Sequence, residues 1–77
     1  MFVTDEEIQT VADDMQSEFE IGSLHSMSTI KQIVPFAADA LADAGFPIRS
    51  SLCVVVAKVA LMRWNETILD TKRKLEG

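Results

Sequence analysis

The apolar run LCVVVAKVALM, Leu52 to Met62, constrains this chain more than any other stretch. Its eleven residues include Lys58. A membrane-spanning helix needs about 20 consecutive apolar residues, so this run is too short to be one. Its valines favour a strand. However, the apolar pattern continues at helical spacing through Trp64 toward Leu75, and a lone strand would have nothing to pair with. A helix over about 50–74 is expected, with Ser50 or Ser51 at its cap.

Two apolar stripes follow from this helix. Val54, Ala57, Leu61, Trp64, Ile68, Thr71 and Leu75 alternate between four- and three-residue steps and resemble a short coiled-coil seam. Leu52, Val55, Val56, Val59 and Met62 form the second stripe, which ends where Arg63, Glu66, Asp70 and Arg73 begin. Arg63–Glu66 and Asp70–Lys74 are spaced to pair along the helix. The first half of the helix therefore asks for two neighbours and the second half for one. One arrangement places the helix centrally in a three-helix bundle. The other is a homodimer that buries Val55, Val59 and Met62 between copies.

Upstream, Thr4-Asp5-Glu6-Glu7 reads as a capping box, with Val3 and Ile8 placed for a hydrophobic staple. Ile8, Val11, Ala12, Met15 and Phe19 then fill a single narrow stripe. A helix over about 5–20 is expected, stopped by Gly22. Ser23 to Ser28 is a polar connection, and Ser26 or Ser28 can cap a second helix over about 28–44. Pro35 lies inside that helix and predicts a kink, because its ring crowds the carbonyl one turn back. Ile30, Ile33, Val34, Ala37, Leu41 and Ala44 keep one phase across it, so two reversed pieces are not expected. The alanines Ala37, Ala40 and Ala44 invite close approach by the valine-rich helix. Gly45-Phe46-Pro47 is a stop signal. The expected fold class is all-α: a small three-helix bundle of one domain, residues 1–77, with the long C-terminal helix central.

Catalytic equipment is sparse. His25 is the sole histidine and falls in the polar connection, and the one cysteine, Cys53, falls in the apolar run. There is no tyrosine and no Gly-rich phosphate loop. No nucleophile–base pair or metal-ligand cluster is spaced suggestively, so no enzyme activity, cofactor or metal is expected. Met1 to Glu6 lacks the basic and apolar regions of a signal peptide. With a free thiol, this predicts a cytoplasmic protein with no membrane association. Asn65-Glu66-Thr67 fits a glycosylation acceptor pattern that has no use in that compartment.

The net charge is −5, with a pI near 4.6, which argues against direct nucleic-acid binding. A helix-turn-helix over Leu41–Pro47 and the following helix would present Leu52, Val55 and Val56 to the groove, and these cannot read base edges. Seven of the twelve acidic residues lie in the first twenty positions, where there is no Lys or Arg. Glu6, Asp13 and Glu20 line one flank of the first helix, and Glu7, Asp14 and Glu18 the other. The expected function is a small acidic interaction module, a regulator or inhibitor of the kind that phages and plasmids carry. Glu7, Asp13, Asp14, Glu18 and Glu20 would meet a protein partner with a basic surface, in the sharpest version by mimicking DNA. The alternative is a homodimeric DNA-binding or transcription-regulating helical protein that uses the basic tail Lys72-Arg73-Lys74.

Overall fold

The computed structural model describes residues 3–76, which form three helices: α1 Asp5–Glu20, α2 Ile30–Asp43 and α3 Ser50–Glu76. Helix α1 starts where its capping box predicts. The Thr4 hydroxyl accepts from the Glu7 amide at 3.2 Å, and the Glu7 carboxylate accepts from the Thr4 amide at 3.2 Å. Helix α2 starts later than its serines suggest. Thr29, not Ser26 or Ser28, is the cap, because Gln32 stands three residues on and completes a second capping box. Ser28 is buried instead, and its hydroxyl accepts from the His25 amide. Helix α2 extends on both sides of Pro35. It closes with Gly45 at φ +81°, while the Phe46 amide bonds the Leu41 carbonyl and the Gly45 amide that of Ala42. This is a Schellman stop, and its left-handed residue favours glycine. In α3 the first helical bond runs from the Cys53 amide to the Arg49 carbonyl. Ser50 and Ser51 therefore stand inside the first turn rather than at the cap.

The helices run up, down and up. Ile8 shares a shallow depression with Leu52 and Val55, the Gln16 amide reaches the Ala60 carbonyl, and Phe19 meets Trp64. Residue numbers thus rise together on α1 and α3, which lie parallel. Helix α2 runs antiparallel to both and hands over to α3 through the short turn at Gly45, and all three helices touch one another.

The core is Val11, Ala12, Met15 and Phe19 of α1; Ile33, Ala37 and Leu41 of α2; and Cys53, Val56, Ala57 and Ala60 of α3. Leu24 in the α1–α2 connection plugs the end of this core. Small side chains at Ala12, Ala37, Ala57 and Ala60 allow close approach of the helices, while each large buried aliphatic contributes about 1.5–3 kcal/mol. Ala44, expected on the buried side, is exposed because it is the C-cap of α2.

On α3 the buried line runs between the two stripes read from the sequence. Cys53, Val56, Ala57 and Ala60 form its centre, with half-buried Trp64 continuing it. The two stripes are its margins. Val56 from one and Ala57 from the other are fully buried, whereas Val55 and Met62 face outward.

Helix α3 also outruns its partners. Its 27 residues span about 40 Å, against about 24 Å for the 16 of α1. It sets the 45 Å long dimension of the molecule, and from Glu66 onward every described residue is exposed.

Candidate functional site: an acidic groove between α1 and α2

The five acidic residues singled out in the sequence do not form one surface. Glu7 is half-buried and occupied by the cap of α1. Asp13 turns toward α3, where it forms an ion pair with Arg63. The same guanidinium donates to the Gln9 carbonyl at 2.8 Å. Arg63 therefore ties α3 to α1 and, among the described residues, does not pair with Glu66. The expected Asp70–Lys74 pair is present at 3.4 Å. Glu20 lies on the same α1–α3 side, in a depression with Asp13, Arg63, Trp64, Glu66 and Asp70.

Asp14 and Glu18 do come together, in company that sequence spacing did not reveal. They line a groove with Asp39 and Asp43 of α2, over a floor of Met15, half-buried Phe36 and Ala40. Four carboxylates from two helices thus surround an apolar base. The helical period places Asp39 and Asp43 one turn apart, opposite the buried stripe of α2. The antiparallel packing of α1 then brings Asp14 and Glu18 beside them. The signal available in the sequence was the recurrence of acids at four-residue spacing on both helices, but neither helix alone shows that the two rows face one groove.

Among the described residues, no group of three or more His, Cys, Asp or Glu side chains is arranged to hold a metal ion. No buried side-chain polar atom among them lacks a hydrogen-bond partner. His25 is exposed in the α1–α2 connection, where its Nδ1 accepts from the Met27 amide. Cys53 packs in the core.

The dimer candidates separate too. Val55 is 43% and Met62 61% exposed on the outer face of α3, while Val59 is half-buried between them and α1. Of the residues that a helix-turn-helix would turn to DNA, Val56 is fully buried and Leu52 half-buried. Lys72, Arg73 and Lys74 are exposed near the far end of α3. No helix among the described residues is long and apolar enough to cross a membrane. Comparison with protein-family models, curated proteins and solved structures gives no match to this chain.

Proposed function

We propose that this chain is a protein-interaction module whose acidic α1–α2 groove receives a basic, amphipathic segment of a partner protein, acting as a regulator or inhibitor of that partner. The observation that carries this reading is the placement of Asp14, Glu18, Asp39 and Asp43 around half-buried Phe36. A solvated acidic face needs no apolar floor, whereas a binding groove combines an apolar anchor point with a charged rim. The net charge of −5 adds long-range attraction for a basic partner and speeds encounter at low salt. A surface that holds nucleic-acid phosphates has the matching chemistry, and carboxylates arrayed on two helices would compete for it.

The test is titration with a helical peptide that carries lysines on one face and leucines on the other, followed by fluorescence anisotropy. Binding is expected to weaken steeply with salt and to be lost in Asp14→Lys/Asp43→Lys. It is expected to persist in Asp13→Asn, whose carboxylate is engaged with Arg63. Equal binding by the wild type and the Asp14→Lys/Asp43→Lys variant overturns the groove as the site.

A further inference from the structure

Helix α3 carries its buried stripe past the end of the bundle. Trp64, Ile68, Thr71 and Leu75 stand at four-three-four spacing, the repeat of a coiled-coil seam. Trp64 is packed against Phe19, but Ile68 is 39% and Leu75 84% exposed. With Thr67 and Lys72 they line a shallow apolar strip along one side of the overhang. Ile21, which follows the end of α1 beside the Phe19–Trp64 pair, is exposed and apolar as well. A helix face of this kind continues a core register with no core to enter.

We propose that this overhang is an interface with a second copy of the chain, the two overhangs pairing antiparallel about a two-fold axis. The charge distribution selects both the occupant and the direction. The first 30 residues carry seven acidic side chains and no Lys or Arg, whereas Lys72, Arg73 and Lys74 follow one another near the tip of α3, where Lys74 also pairs with Asp70 of its own helix. An antiparallel pair sets the tip of each overhang against the base of the other. At that base stand Glu20 and Glu66, and the last turn of α1 contains no basic residue. The negative end of the α1 dipole points there as well. Each basic tip therefore meets an acidic base twice over, by symmetry, while Leu75 of one copy reaches the Trp64 end of the other. A parallel pair would instead stack the two Lys72-Arg73-Lys74 clusters on each other. The interface is isologous and closes at two copies. The overhang from Glu66 to Glu76 is about 16 Å long, so the contact falls at the small end of specific interfaces and the dimer should be weak. This surface is separate from the α1–α2 groove.

Sedimentation equilibrium of the full chain, from about ten to several hundred micromolar, tests the pairing. The wild type should rise from the 8.5 kDa monomer mass toward twice that value. Ile68→Glu/Leu75→Glu, at exposed positions that leave the helical circular dichroism intact, should stay monomeric throughout. Lys72→Glu/Lys74→Glu should raise the dissociation constant at low salt by tenfold or more, and high salt should narrow that difference. Val55→Glu/Met62→Glu should dimerise like the wild type. A monomer at every concentration overturns the proposal, as does a dimer lost in Val55→Glu/Met62→Glu but kept in Ile68→Glu/Leu75→Glu. Rapid disulfide formation between copies of Leu75→Cys overturns the antiparallel direction, because only a parallel pair brings the two tips together.

Discussion

Phe19 of α1 and Trp64 of α3 stack with ring centroids 5.4 Å apart and planes inclined by 23°, and this pair forms the last aromatic layer of the bundle. Below it the helices share a core; beyond it α3 runs on with every described residue from Glu66 exposed. The stack thus divides the helix that folds the domain from the helix left to meet something else. Trp64→Ala is expected to cost about 2–4 kcal/mol in urea denaturation, combining lost burial with the lost ring contact. A loss below about 1 kcal/mol would show that the bundle does not depend on this layer.

Arg63 is the polar counterpart of that layer. It pairs with Asp13 and donates to the Gln9 carbonyl, so one side chain holds two points of α1. Arg63→Lys is expected to lose about 1 kcal/mol, nearly as much as Arg63→Ala, because a single ammonium cannot span both acceptors. Full retention of stability in the lysine variant would mean that the charge alone suffices.

Pro35 sits exposed within α2 and has no amide hydrogen to give the Lys31 carbonyl. Nothing packed in the core requires its ring. Pro35→Ala should raise the unfolding free energy by about 1–3 kcal/mol, read from the shift in denaturation midpoint at unchanged slope. A lower midpoint would instead assign the proline a packing role.

Cys53 is 3% exposed and sits among the core residues of α3. Its reaction with an aromatic disulfide reagent should be negligible in the native protein and should rise in step with the unfolded fraction as urea is added. Fast labelling without denaturant would reveal local opening at the start of α3.

A fifth consequence concerns the groove. Phe36→Ala should weaken binding of the lysine–leucine helical peptide at every salt concentration, whereas Asp39→Asn should weaken it mainly at low salt. Identical salt profiles for the two variants would argue that the apolar floor and acidic rim do not act as separate parts of one site.

Much of the architecture was legible locally. The Thr4–Glu7 capping box, the stripe from Val11 to Phe19 and the stop at Gly45-Phe46 are short-range patterns whose hydrogen bonds close within a turn or two. Helix α1 therefore begins and ends where its sequence says. The second capping box, Thr29–Gln32, is equally local, but the serines beside it offer competing caps along the sequence. On α3 the pattern was ambiguous because apolar residues surround the first turns on nearly all sides. Periodicity there identifies a helix but not which line faces inward.

What the sequence determined by itself is the presence, type and approximate extent of three helices, since caps, periodicity and stop signals act between neighbours. The tertiary structure decided the rest. It selected Cys53, Val56, Ala57 and Ala60 as the inward line of α3, where the alanines let α1 and α2 close on it and Val56 fills the space between them. It turned Asp13 to Arg63 and set Asp14 and Glu18 beside Asp39 and Asp43. It also left the end of the Trp64–Leu75 seam without a neighbour, because α1 and α2 are shorter than α3. Those relationships join residues far apart in the chain, and no spacing along one helix encodes the face that another helix will cover.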